Sequence, residues 1–110
     1  MRTRGRPKKY RFIKQDPKIS QFSPRGKPGR PDEVNLATDE YEAIRLADYM
    51  GFSQKEAAKS MRISQQTFSR ILRRAHKQLA NGLVRGTTIK IQGGSYVISS
   101  REENKSHFPT

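Results

Sequence analysis

SQKEAAKSMRISQQTFSRIL, residues 53–72, is the stretch whose reading decides the fold. It opens with Ser53 and, three residues on, Glu56. That is a capping box: the serine hydroxyl accepts from the Glu56 amide, and the glutamate reaches back to the Ser53 amide. The helix it starts is short, ending near Ser60, and carries Ala57 and Ala58 in its middle, small enough for a second helix to cross closely. Met61, Arg62 and Ile63 form a tight link with an apolar plug on either side of the arginine. Ser64 then caps a longer helix in which Phe68, Ile71, Leu72, Ala75 and Leu79 recur at steps of three and four, the spacing of a buried stripe. A short helix, a tight turn and a longer second helix make up the helix-turn-helix layout, whose second helix lies in the major groove of DNA. The small Ala58, the apolar plugs Met61 and Ile63, and the buried Phe68 and Ile71 all fall between Gln54 and Arg74.

Removing the core positions from the longer helix leaves Ser64, Gln65, Gln66, Ser69 and Arg70 at its N-terminal end. Glutamine bonds adenine bidentately, arginine does the same to guanine, and serine reaches several groups. Arg73, Arg74 and Lys77 follow, where backbone phosphates would pass. No acid occurs from residue 57 to residue 101, whereas a face that merely meets solvent mixes signs. These eight residues are the candidate DNA-binding set on the recognition helix.

Upstream, a preceding helix is expected with Thr38 as its N-cap and Asp39, Glu40 and Glu42 in the first turn, where the dipole favours them. Tyr41, Ile44, Leu46, Ala47 and Met50 supply its apolar face, and Gly51 its stop. Glu42, Arg45 and Asp48 read as a solvated ion-pair ladder on the outer face. Order begins near Leu36. Residues 1–31 hold eleven basic side chains, one acid (Asp16) and five of the six prolines. Continuous helix is excluded there, and an arm that is mobile without a partner is expected, with Phe12, Ile13 and Phe22 available for docking. Within the arm, RGRP at residues 4–7, followed by Lys8 and Lys9, resembles the core of an AT-hook. Gly5 lets the backbone approach the minor-groove floor, Pro7 keeps the chain extended, and Arg4 and Arg6 enter the narrow groove of A·T-rich DNA. Arg4, Arg6, Lys8 and Lys9 are therefore the candidate arm contacts.

Downstream, Asn81 and Gly82 stop the long helix. Thr87 to Ile91 alternates and is β-branched, Gly93-Gly94 is a two-residue turn signal, and Tyr96 to Ile98 is again strand-like, so a β-hairpin is expected. The division is a basic, Pro/Gly-rich arm (1–35), a mainly α three-helix helix-turn-helix domain (36–82), a hairpin (83–98) and a disordered tail (99–110).

The composition agrees with this reading. The 110 residues carry 23 Lys+Arg against 10 Asp+Glu, a formal net charge of +13, which points to nucleic acid. There is no cysteine, which removes disulfides, thiol nucleophiles and thiolate zinc sites. No apolar run approaches the roughly 20 residues that span a bilayer, and the N-terminus lacks a secretory signal. A cytoplasmic, nucleoid-associated protein without a membrane partner is expected. His76 and His107 have no acidic partner at a recognisable spacing, so no catalytic site, metal, cofactor or enzymatic activity is expected. The helical part, about 45 residues, is marginal for independent stability, which leaves a homodimer open through the hairpin or the first helix. The alternative function is an RNA-binding or ribosome-associated basic protein. Tyr10, Phe12 and Phe22 would serve it as stacking surfaces, while the core positions of Tyr41, Phe52 and Phe68 argue against it.

EAIRLAD (42–48), GFSQKEAA (51–58) and SQQTFSRI (64–71) together resemble a small prokaryotic family of DNA-binding proteins of unassigned role, whose helix-turn-helix is similar to that of sigma-factor region 4. RPKK at 6–9, PRGKP at 24–28 and IQGGSY at 91–96 extend the resemblance over residues 6–96. It implies a region-4-like helical domain with Ser64 to Arg74 as the recognition segment. From the residues themselves, the expected function is sequence-specific double-stranded-DNA binding in transcriptional regulation. Two departures matter. Arg62 stands where the family's turn usually has glycine, which implies a turn that is either slightly strained or differently shaped. Relatives also often carry cysteines near what are here Tyr10 and Lys14, so any metal or redox role of those cysteines does not transfer. Some relatives continue into a second domain resembling proteins of iron–molybdenum cofactor assembly, for which this chain is too short.

Overall fold

The structure, a computed structural model, describes residues 10–26 and 32–98. About half of the described residues are helical, in three helices accompanied by five short strands. Helix α1 is Thr38–Ile44 and runs on as a π-helical turn, Arg45–Tyr49. Helix α2 is Gln54–Met61 and α3 is Gln65–Arg85. The strands are β1 (Arg11–Ile13), β2 (Gln21–Phe22), β3 (Glu33–Leu36), β4 (Thr88–Ile91) and β5 (Tyr96–Ile98). Among the described residues, no helix is long and apolar enough to cross a membrane.

The apolar stripes meet in one cluster: Ala43 and Leu46 from α1 and its π-turn, Ala57, Ala58 and Met61 from α2, and Phe68, Ile71 and Leu72 from α3. Phe68, Met61 and Ile71 are wholly buried; each side chain of this size contributes about 1.5–3 kcal/mol by leaving water. The alanines of α2 supply the closeness, as their methyl groups leave room for Phe68. Ile63 is half-buried against the cluster. A second cluster joins α3 to the strands through Leu36, Ala75 and Ile91, with Tyr41, Ile44, Leu79 and Ile89 packed on it.

Residues 10–26 and 32–36 depart from the mobile arm expected up to Leu36. Strand β1 pairs in parallel with β5, with Arg11 opposite Tyr96 and Ile13 opposite Ile98. Strands β2, β4 and β3 form a second sheet, β2 antiparallel and β3 parallel to β4. Val34 and Leu36 alternate inward along β3, and Ile13 is wholly buried. Pro17 and Pro24 lie in the loops between strands, where a missing N–H costs no ladder bond.

The hairpin expected over 83–98 does not form. A strand has two edges, and both edges of β4 are taken, by β2 and by β3. Strand β5 is left to pair with β1. Gly93 and Gly94 do take positive φ, 81° and 92°, but the turn docks on α1, where the Thr38 N–H donates to the Gly93 carbonyl at 3.0 Å.

Three local expectations also change. The N-cap of α1 is Ala37, not Thr38; Glu40 Oε1 accepts from the Ala37 N–H at 2.9 Å, which satisfies a donor that alanine leaves to others. Helix α3 passes through Gly82 and stops at Gly86, φ 70°. Gly82 is in the helix for closeness rather than as a stop, since a Cβ there would come 2.7 Å from Ile89 Cγ1. Finally, Glu42 and Arg45 are not a solvated ladder. Glu42 is wholly buried and Arg45 is 7% exposed. Arg45 Nε and Nη2 each donate at 2.9 Å to the two carboxylate oxygens, and the Lys14 N–H donates to Oε2 at 3.0 Å. The end of β1 lies where solvent was expected.

Candidate nucleic-acid interface

The unit is assembled by its caps. Ser53 Oγ accepts from the Glu56 N–H at 3.0 Å and Glu56 Oε1 from the Ser53 N–H at 2.9 Å, which starts α2. Helix α2 ends at Arg62, which adopts φ 59°, ψ 45°; it is the only non-glycine residue among those described with positive φ. That conformation costs a residue with a Cβ about 1–2 kcal/mol. The Arg62 N–H donates to the Ala58 and Lys59 carbonyls, and the Ile63 N–H to the Ala58 carbonyl at 3.0 Å. The Arg62 guanidinium lies over the Phe12 ring, 4.1 Å from its centroid. A stack of this kind is worth about 0.5–1 kcal/mol at an exposed site, of the order of the strain. Ser64 Oγ then accepts from the Thr67 N–H at 3.1 Å and donates to Thr67 Oγ1 at 2.9 Å, so its hydroxyl is engaged in starting α3.

Beyond the cap, Phe68, Ile71, Leu72 and Ala75 face inward, and at 100° per residue the opposite face carries Gln66, Ser69, Arg70, Arg73 and Lys77. Gln65, Gln66, Arg70, Arg73, Arg74 and Lys77 are exposed, and Ser69 is half-buried. From Gln66 to Lys77 the stripe extends about 16 Å. No carboxylate among the described residues forms an ion pair with Arg70, Arg73 or Lys77. Arg74 differs: its Nε lies 3.5 Å from Glu40 Oε2. Arg73, Arg74 and Lys77, with Asn35, Ala37, Glu40 and Gln78, line an open groove of about 330 Å³ between α3 and the start of α1.

The structure thus brings Gln65, Gln66, Ser69, Arg70, Arg73, Arg74 and Lys77 onto the outer side of one helix and gives Ser64 to its cap. Arg4, Arg6, Lys8 and Lys9 lie outside the described residues, as does His107. His76 does have an acidic partner: its Nε2 is 2.7 Å from Asp48 Oδ2, tying α3 to the π-helical turn. That partner, the Glu40 tether of Arg74 and the Phe12 stack all escape a reading by spacing, because each joins segments far apart in the chain. Tyr41, half-buried beside the second cluster, has its phenol pKa raised above 10.0, chiefly by desolvation.

Residues 1–99 match the family model described as Protein of unknown function DUF134. The chain belongs to that family. Within the DUF134 group, the UPF0251 protein of Prosthecochloris aestuarii is 46% identical over 100 residues, which cover 90% of this chain and 63% of that protein. The UPF0251 protein of Thermoanaerobacter sp. (strain X514) is 41% identical over 103 residues, covering 93% of this chain and 90% of its own. For the UPF0251 protein of Chlorobaculum tepidum the figures are 47% over 98 residues, 88% and 50%. The chain therefore spans from half to nine tenths of the length of these prokaryotic relatives. No solved structure matches it.

Proposed function

We propose that α2, the Arg62 turn and α3 form a helix-turn-helix of the sigma region 4 type, and that the protein is a sequence-specific double-stranded-DNA-binding transcriptional regulator. One observation carries the reading. The stripe of α3 opposite the core presents Gln66, Ser69, Arg70, Arg73 and Lys77 from a capped, well-packed helix, with Arg70, Arg73 and Lys77 in no ion pair among the described residues. In this reading Gln65, Gln66, Ser69 and Arg70 meet base edges in the major groove, and Arg73, Arg74 and Lys77 meet phosphates. The segment ahead of Tyr10 supplies the second contact. From Tyr10 to Arg4 the chain spans up to about 20 Å, of the order of half a turn of duplex, which suits Arg4 and Arg6 to the adjacent minor groove, with Lys8 and Lys9 on phosphates. The role is a DNA-associated one in the cytoplasm.

The alternative, an RNA-binding protein, is favoured by a different observation: Tyr10, Phe22 and Tyr49 are more than half exposed, as stacking aromatics would be. One experiment separates the two. A randomised duplex pool is selected through several rounds, and the product is titrated by fluorescence anisotropy at about 150 mM salt against single-stranded DNA and structured RNA. Enrichment of one duplex motif is expected, with Gln66→Ala or Arg70→Ala each weakening it about 10- to 100-fold. Equal binding to every polyanion, untouched by either substitution, overturns the reading; preference for structured RNA transfers it to the alternative.

A further inference from the structure

We infer that Phe12 and Arg62 are a positioning pair: the Phe12 ring holds the left-handed Arg62, and through it the angle at which α3 leaves α2. A left-handed residue bearing a Cβ persists only where its surroundings over-determine it. The amide bonds at the end of α2 would serve a glycine equally well, and they do not account for the arginine side chain. The stack at 4.1 Å does. A guanidinium is planar and lies flat on a ring, which an ammonium does not do.

Phe12 is itself held on both sides. Before it, the Arg11 N–H donates to the Ser95 carbonyl at 3.2 Å, and Arg11 Nε lies 3.6 Å from Asp39 Oδ2. After it, Ile13 is wholly buried and the Lys14 N–H is bonded to Glu42. The ring is thus a fixed support rather than a loop side chain that happens to rest on the turn. A rotation at Arg62 displaces Gln66 and Arg70, which lie about 3 and 9 Å along the α3 axis from its N-cap Ser64. The consequence for binding rests on α3 being the DNA-reading helix; the coupling between β1 and the turn stands without it.

The test is a double-substitution cycle on the full chain: Phe12→Leu, Arg62→Gly, and both together. Leucine keeps apolar bulk on β1 and removes the ring face; glycine removes the strain. Three quantities are read: the midpoint of thermal unfolding, amide exchange at Ile63, and affinity for the selected duplex. Phe12→Leu alone is expected to lower the midpoint by about 3–6 °C. It should also speed Ile63 exchange and weaken the duplex, each by about threefold to fivefold. Arg62→Gly leaves the midpoint unchanged or raises it. In the double variant the effects of Phe12→Leu vanish, and Phe12→Tyr, which keeps the ring, behaves as the parent. Equal losses from Phe12→Leu in both backgrounds overturn the inference, as does parental Ile63 exchange in Phe12→Leu. Coupling in the midpoint and in exchange, with no duplex bound by any variant, sustains the pair and defeats the DNA reading. Strong duplex binding without coupling does the reverse.

Discussion

Residues 53–72 and the seam between residues 10–14 and 42–45 are held together by opposite kinds of contact. In the first, the hydrogen bonds join residues three to five apart, Ser53 to Glu56, Ile63 to Ala58 and Ser64 to Thr67, and the Phe12 stack on Arg62 is the long-range exception. In the second, the Lys14 amide meets a carboxylate 28 residues away, and Arg11 pairs with Tyr96. Local bonds are specified by a few residue types at fixed spacing, so the sequence carries them openly. Long-range bonds depend on which segment arrives, and the residues at either end look ordinary until it does. Glu42 and Arg45 are the clearest case, because the same i, i+3 pair is a weak surface contact in water and a costly, tightly organised one under β1.

That contrast can be broken most forcefully at Glu42. Glu42→Ala takes two charge-assisted hydrogen bonds from a buried guanidinium and one from the Lys14 amide, and the expected loss is about 3–5 kcal/mol in urea unfolding. A loss under about 1 kcal/mol, the range of surface pairs, would mean that the seam is wet after all. Replacing both members, Glu42→Met with Arg45→Met, should restore much of the stability, since no charge is then left unpaired.

The local region offers a smaller effect. Ser53→Ala removes half of the capping box and should cost about 1 kcal/mol, read as fraying of α2 in amide exchange while the protection of β1 is unchanged. Loss of protection spreading to β1 would show that the two regions are one cooperative unit rather than two.

The smallest effect is at Tyr41, which faces the strands. Burial raises its phenol pKa above 10.0, so above pH 10 the unfolded chain releases a proton that the native state keeps, and stability falls as pH rises. Stability is unaffected by this group below pH 10 and declines through the raised native value. Tyr41→Phe should flatten that decline; an unchanged slope would place the ring in water.

What the sequence revealed follows the same division. Ser53 with Glu56, and Phe68 with Ile71, announce two helices and the side each buries, and the structure has both. The α3 stripe from Gln66 to Lys77 follows from those positions, since whatever is not core on a capped helix faces out. By contrast, Phe12, Ile13 and Phe22 sit among prolines and cations and read as an unformed arm, although β1 and β2 occupy that region. The end of α3 is expected too early, at Asn81-Gly82, for a related reason. Gly82 and Gly86 are equally good stops by type, and only the approach of Ile89 to Gly82 shows which of them is packed inside the helix. The hairpin expected from Gly93-Gly94 failed because a turn signal does not state whether the preceding strand still has an open edge.

Strand β4 has a consequence for the order in which the molecule can be completed. It pairs with β3, which precedes all three helices, and with β2, which precedes β3, yet it follows the whole helical segment. A chain made from its N-terminus therefore exposes the edges of β2 and β3 throughout the synthesis of α1, α2 and α3. Pairing of this range is slow to form because the intervening loop must first be closed. Until Thr88–Ile91 arrives, those edges are open to other chains. The helices can find one another early, but the nascent protein is protected from its neighbours only once Thr88–Ile91 has been made.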